Sequence, residues 1–184
     1  MAEVVEVDVE VLVERAQAGD LDALGHLYDR YRGRVAGFAR ARLGDPDKAE
    51  DVTSETFEAV LRRLGGYKLG TDFEAWLFTI AHRRVSDHFR RQRRRRDLVT
   101  LHEAPAADAA GPEEAAVAAE DRTEVARAFS TLRGDEQEVL ALRVLAGLSA
   151  AQAGAVLGKS EGAVRVAQHR ALRSLREAMG VDAR

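Results

Sequence analysis

Six of the eight residues in RRQRRRRD, positions 90 to 97, are arginine, in a chain of 184 residues whose formal net charge is only −3. Guanidinium groups are permanently charged forks of donors that bind oxyanions, phosphate above all. Like charges at this density repel unless something negative lies against them, so the block points to a polyanion. A second cationic series is spaced rather than clustered. Arg165, His169 and Arg173 recur every four residues and therefore share one face of a helix. Such a stripe suits the major groove of DNA, where arginine donates to guanine edges. The solvated face of a helical hairpin has the same pattern, so the surrounding turn chemistry has to decide.

Little in the composition supports catalysis. The chain has no cysteine, which removes disulfides, thiolate nucleophiles and cysteine zinc sites and fits a reducing compartment. The histidines, His26, His82, His88, His102 and His169, are scattered, with no His-Glu-x-x-His spacing. No catalytic residue, metal or cofactor is expected, and a metal-dependent nuclease is the enzyme reading set against the others. The first ten residues are acidic where a signal peptide needs a basic lead, and no apolar run approaches the roughly 20 residues of a membrane span. A soluble, intracellular protein without membrane insertion is expected.

The cations need elements to hold them. Apolar residues recur at helical spacing through Leu24, Leu27, Tyr28, Tyr31, Val35 and Phe38, and again through Val52, Thr56, Phe57, Val60, Leu61 and Leu64. Two amphipathic helices are predicted, broken by GDPD at 44 to 47, with Asp47 and Glu50 as capping box and Gly65-Gly66 as terminator. After the loop GGYKLG, Thr71 and Glu74 are predicted to open a third helix. Its inner face is Phe73, Trp76, Leu77, Ile80, Ala81, Val85 and Phe89, and the arginine block continues it.

Charge is segregated. Glu3, Glu6, Asp8, Glu10 and Glu14 precede any base, and Glu103, Asp108, Glu113, Glu114, Glu120 and Asp121 follow the arginines. Acidic flanks suppress indiscriminate binding. The stretch HEAPAADAAGPEE lacks large apolar residues and reads as a flexible linker. Beyond it, Pro112 is predicted to start a helix holding Val117, Val125, Phe129 and Leu132. Asp135 with Glu138 is expected to cap the next helix, which ends at Gly147. No β-strand pattern of useful length is present, so the fold is expected to be all-α in two small helical lobes.

The C-terminal stretch decides what the stripe is. Ser149 and Gln152 form a capping box, a short helix runs to Leu157, Gly158 supplies a turn, and Ser160 caps a long helix. Its inner positions are Val164, Ala171, Leu172 and Leu175, opposite the cationic stripe. This is a helix-turn-helix pattern. The segment GLSAAQAGAVLGKSEGAVRVAQHRALRSLRE resembles region 4 of the bacterial extracytoplasmic-function (ECF) sigma factors. Independently, AEDVTSETFEAVLRRLGGYKLGTDFEAWLFTIAHRRVSDHFRRQRRRR resembles their region 2. The resemblance implies residues 10–96 as region 2, 97–112 as linker and 113–179 as region 4.

It further implies a subunit without a reaction of its own that binds core RNA polymerase and promoter DNA in the bacterial cytoplasm, at the nucleoid. The helix over 47 to 64 corresponds to the one that docks on the clamp helices of the polymerase largest subunit, which nominates Asp51, Ser54, Glu55 and Glu58; region 4 would meet the flap. Ser54 stands where the family usually has glutamine. For the −10 element the resemblance nominates Tyr67, Lys68, Arg83, Arg84, Asp87, His88, Arg90, Arg91 and Arg94, with Arg93, Arg95 and Arg96 as an exit. Arg83 replaces a common asparagine. Trp76 and Phe78 are candidate stacking platforms, Trp76 being assigned to the core. For the −35 element it nominates Lys159, Ser160, Glu161, Gly162, Arg165, His169, Arg170 and Arg173. Small residues at Ala151, Ala153 and Gly154 lead to the expectation of a loosely packed hairpin. An anti-sigma protein is the further partner implied, and a stand-alone helix-turn-helix repressor is the rival reading.

Overall fold

The structure, a computed structural model, describes residues 8–99 and 118–181. All regular structure among them is helical. The first lobe holds α1 (Val9–Gln17), α2 (Leu21–Leu43), α3 (Pro46–Arg63) and α4 (Phe73–Val99). A 3₁₀ turn over Leu64–Gly66 separates α3 from the loop before α4. The second lobe holds α5 (Ala118–Thr131), α6 (Gly134–Leu140), a π turn over Ala141–Leu145, α7 (Ala150–Leu157) and α8 (Glu161–Ala178).

The predicted helices form, with shifted starts. The carboxylate of Asp45, not Asp47, caps α3 by accepting from the N–H groups of Asp47 and Lys48. Pro46 explains the shift: it holds the preceding residue extended and occupies the first helical turn, where its missing N–H costs nothing. At α4 the Thr71–Glu74 box is absent. The Thr71 hydroxyl donates back to the Lys68 carbonyl, Asp72 accepts from Ala75 N–H, and Glu74 is engaged elsewhere. Asp135 and Glu138 likewise do not pair as a box. Instead Glu136 accepts from the Arg133 N–H, while Glu138 turns toward the first lobe. Pro112 and Val117 lie outside the described residues.

Helix α1 was not predicted. Its Leu12 and Val13 are buried against the first lobe, and Gln17 donates to the carbonyls of both Leu64 and Tyr67, tying α1 to the loop. Leu27, Tyr31, Val35, Phe38, Val52, Val60, Leu64, Leu77 and Val85 are buried as the spacing predicts. Tyr28, Leu61 and Phe89 are not: they are 39%, 53% and 38% exposed. The buried hydroxyls of Thr53 and Thr56 are satisfied by the carbonyls of Ala49 and Val52, each at 2.7 Å.

The hairpin of α7 and α8 is tightly packed, contrary to the expectation from its small residues. A Cβ placed on Gly154 would stand 2.6 Å from the Lys159 carbonyl oxygen, so only glycine lets the turn approach α7 this closely. Gly158 has φ +64, the left-handed conformation that ends α7, and Ser160 caps α8 through Ala163 N–H. The small residues are what the close approach requires.

The two lobes pack on one another. Buried residues of both, among them Phe38, Phe78, Leu142, Leu148 and Val156, belong to one contiguous apolar cluster. Helix α7 lies on α4 and the π turn lies on α2. A smaller cluster of Leu132, Leu140 and Ala171 holds α8 to α5 and α6.

Candidate nucleic-acid interface

Helix α8 turns Val164 and Ala171 inward and leaves Lys159, Ser160, Glu161, Gly162, Arg165, His169, Arg170 and Arg173 exposed. All the nominated −35 residues therefore lie on one accessible side of the helix-turn-helix. Two of the cations carry partners on their own helix. Arg165 is paired to Glu161 one turn earlier, and Arg173 to Glu177 at 2.9 Å one turn later. Exposed pairs of this kind are worth a few tenths of a kcal/mol, roughly 0.3 to 0.5, so a phosphate or a guanine edge displaces them easily. Val166, 51% exposed, lies beside the stripe and was not singled out from the sequence. A lone valine there has the chemistry to meet a thymine methyl.

The arginine-bearing part of α4 is held differently. Its inner side is fixed by Leu77, Ala81 and Val85. From α3, the Glu55 carboxylate faces it, 3.8 Å from both Arg84 and Arg91. These are ion-pair distances without a hydrogen bond, and one Glu55 oxygen is buried with no hydrogen-bond partner. Glu55 therefore serves as counter-charge to α4 within the fold. Asp87 pairs with Arg90 at 3.4 Å. Arg83, Arg93, Arg94 and Arg95 are exposed with no ion-pair partner among the described residues, so much of the block's charge still faces outward. Burial pushes the His88 imidazole below its ordinary pKa, and Arg91 and Lys48 push it further, so the ring is neutral near pH 7.

The loop contribution is narrower than expected. Tyr67 is buried, its ring packed between Phe73 and Trp76 with centroids at 5.6 and 5.0 Å, and its hydroxyl donates to the Thr71 carbonyl. It offers no free stacking face; Lys68 beside it is exposed. Phe78 is fully buried and cannot be a platform at all. Trp76 is half-buried against the core, as assigned.

Asp51, Ser54 and Glu58 form an exposed row on α3, with Glu58 beside Arg62 at 3.4 Å. Glu55 is the exception already described. Next to the row the structure adds what the sequence reading missed, an apolar groove of about 290 Å³ lined by Leu21, Leu24, Tyr28, Phe57 and Leu61. Leu24, Tyr28, Phe57 and Leu61 belong to the apolar spacing read from the sequence, whereas Leu21 carries no such signal.

Among the described residues no group of three or more His, Asp or Glu side chains could hold a metal ion, and no helix is long and apolar enough to cross a membrane.

These observations define a two-part helical protein with separate cationic faces, and comparison with known proteins places it. Residues 27–95 match Sigma-70 region 2 and residues 128–177 match Sigma-70 region 4. The chain is 42% identical over 175 residues to the ECF RNA polymerase sigma factor BldN of Streptomyces coelicolor, covering 94% of this chain and 66% of that relative's length. It is 38% identical over 176 residues to the ECF sigma factor SigD of Mycobacterium tuberculosis, covering 92% of this chain and 82% of the relative. The solved structure of CnrH in complex with the cytosolic domain of CnrY superposes with a TM-score of 0.72 at 26% identity, over 96% of this chain and all of that one. The chain belongs to the ECF RNA polymerase sigma factor family. It is a transcription-initiation protein of the kind that gives RNA polymerase its promoter specificity. A stand-alone repressor would have no use for a region 2, so that reading is set aside.

Proposed function

We propose that α8 reads the −35 duplex, α4 with Lys68 holds the −10 element during melting, and α3 docks on the clamp helices of the polymerase. The carrying observation is that α4 and α8 both bury their apolar sides and both leave a cationic side open, in two segments that match regions 2 and 4 in order. On α8, Arg165, His169, Arg170 and Arg173 face the groove, and Lys159, Ser160, Glu161 and Gly162 bring its N-terminus to the backbone. On α4, Arg83, Arg90 and Arg94 take the DNA backbone, with Arg91 and Arg84 shared with Glu55. Asp87 and His88 line the same side. Tyr67 acts by supporting the loop.

For docking, Asp51, Ser54 and Glu58 supply an acidic row and Leu61 with Phe57 an apolar edge, the combination a helical partner needs. The domain division 10–96, 97–112 and 113–179 is retained, with the flap as the second polymerase contact. The protein has no reaction of its own, works in the cytoplasm at the nucleoid, and is controlled by an anti-sigma protein. Run-off transcription with core polymerase over a genomic promoter library tests this reading. Specific transcripts are expected only when the chain is added, and their absence would refute it.

A further inference from the structure

Helix α8 rests on its own lobe through small side chains and two polar clamps. In the half nearest the turn, Val164 and Ala171 are buried and Ala167 is partly so. A valine and two alanines make a shallow ridge, which resists separation of α8 better than rotation about its axis. Hydrogen bonds supply the direction that such a ridge lacks. On one flank Arg143, within the π turn, donates from Nε to the Gln168 side-chain oxygen at 2.8 Å. The same guanidinium donates from Nη1 to the carbonyl of Leu148, just before the cap of α7. On the other flank the Ser174 hydroxyl donates to Glu136 of α6 at 3.0 Å. Glu136 is buried, and its second oxygen accepts from the Arg133 N–H at 3.2 Å.

At 100° per residue, Gln168 lies about 40° to one side of Val164 and Ser174 about 80° to the other. The clamps therefore straddle the buried seam, and Arg165, His169 and Arg173 stand on the far side. A roll of about 10° to 20° moves a side-chain tip about 5 Å from the axis by about 1 to 2 Å. That exceeds what a hydrogen bond to a base edge tolerates. We infer that Arg143 and Glu136 are positioning residues for −35 readout: through Gln168 and Ser174 they fix the roll of α8, and Arg143 ties that roll to the entry of α7. The inference rests on the reading of α8 as the element that meets the −35 duplex.

The readout is discrimination, the ratio of holoenzyme affinities for one promoter and for the same promoter with single base-pair changes in its −35 element. A residue that only stabilises the lobe changes the competent fraction and scales every affinity alike, leaving that ratio fixed. A positioning residue changes the ratio. Gln168→Met removes the acceptor yet leaves the Arg143–Leu148 bond to hold the turn, and should lower discrimination by about three- to tenfold, part of what one bidentate base contact supplies. Arg143→Met should do the same, and combining it with Gln168→Met should cost no more discrimination than either alone. Gln168→Glu keeps an acceptor for Arg143 and should hold the ratio within about twofold even where overall affinity falls. Ser174→Ala releases the second clamp and should lower the ratio by about two- to threefold.

Uniform loss on every promoter with an unchanged ratio in both Gln168→Met and Arg143→Met would overturn the inference. So would a loss of discrimination in Gln168→Met with none in Arg143→Met, which would make Gln168 a base contact in its own right. Additive losses with a salt slope lower by about one in Arg143→Met would make that arginine a phosphate ligand instead, and would overturn it as well. An unsubstituted holoenzyme indifferent to the −35 sequence strikes the reading of α8 itself, whereas normal discrimination that the variants leave unmoved strikes only the clamps.

Discussion

The arginines of α4 and those of α8 are provided for in different ways. On α8 each paired cation finds its carboxylate one turn away on its own helix, at the surface, where Arg165 is 71% and Arg173 77% exposed. On α4 the counter-charge comes from another helix, and Glu55 is held half-buried between Arg84 and Arg91. An i, i+4 pair joins two side chains of one helix, whereas Glu55 ties two arginines of α4 to a different helix, α3. Helix α8 is thus free to hand its arginines to a duplex. Helix α4 shares two of its arginines, Arg84 and the more exposed Arg91, with Glu55 and presents the others, as suits a surface that follows a strand.

Substitutions can break that contrast. The largest effect is expected from Arg165→Ala or Arg173→Ala, about 1 to 3 kcal/mol of −35 binding with relaxed discrimination if they read bases, or a salt slope lower by about one if they read phosphate. Promoter titrations of the holoenzyme at several salt concentrations distinguish these. Equal loss on all sequences with an unchanged slope would contradict both. Next, Arg90→Ala with Arg91→Ala should slow open-complex formation by roughly tenfold, two phosphate contacts being lost, while sparing core binding. A defect confined to core association would reverse the assignment of α4.

Gly162 sharpens the contrast from the other side. It sits in the first turn of α8 with open space around the position of a Cβ, so nothing inside the protein demands glycine. Gly162→Ala should therefore raise helix stability by about 0.8 to 1 kcal/mol, read as a higher Tm. If the missing side chain serves close approach to DNA, −35 binding falls in the same variant. A gain in both would remove Gly162 from the interface.

The smallest expected effect concerns pH. Burial raises the pKa of Glu138, but hydrogen bonding and charge from His82, with Arg42 and Lys159, outweigh it and leave the carboxyl below its ordinary value. Glu74 is likewise raised by burial and lowered further by Arg34, Tyr31 and Gln152. A depressed native pKa contributes stability that is present above the unfolded value, about 4.3, and disappears as pH falls through the native value. The Tm of the free chain should thus drop on acidification below about pH 4.3. Glu138→Gln should flatten that drop, and an unchanged profile would show that this carboxylate is not linked to folding.

Much of the fold was legible because helices announce themselves locally. Gly158, Ser160 and the Ser149–Gln152 box lie where the chain signals them, since each depends on neighbours three or four residues away. The same local logic failed by two residues at α3, where Asp45-Pro46 was the stronger signal. It missed α1, whose Leu12, Val13 and Ala16 carry helical spacing under a conspicuous acidic charge. The long-range pieces were not legible. Nothing near Arg34 forecasts Ala146, and nothing near Glu55 forecasts Arg91; both depend on how packed helices cross. Tyr67 shows the limit most plainly, an aromatic nominated for DNA that the fold spends on Phe73 and Trp76.

The central claim is that these two cationic faces work on a promoter only when polymerase sets their spacing. Footprinting of one promoter by the purified chain, with and without core polymerase at physiological salt, tests it most directly. The account predicts joint protection of −35 and −10 with polymerase and none without it. Tight, sequence-specific protection of duplex DNA by the chain alone would contradict it.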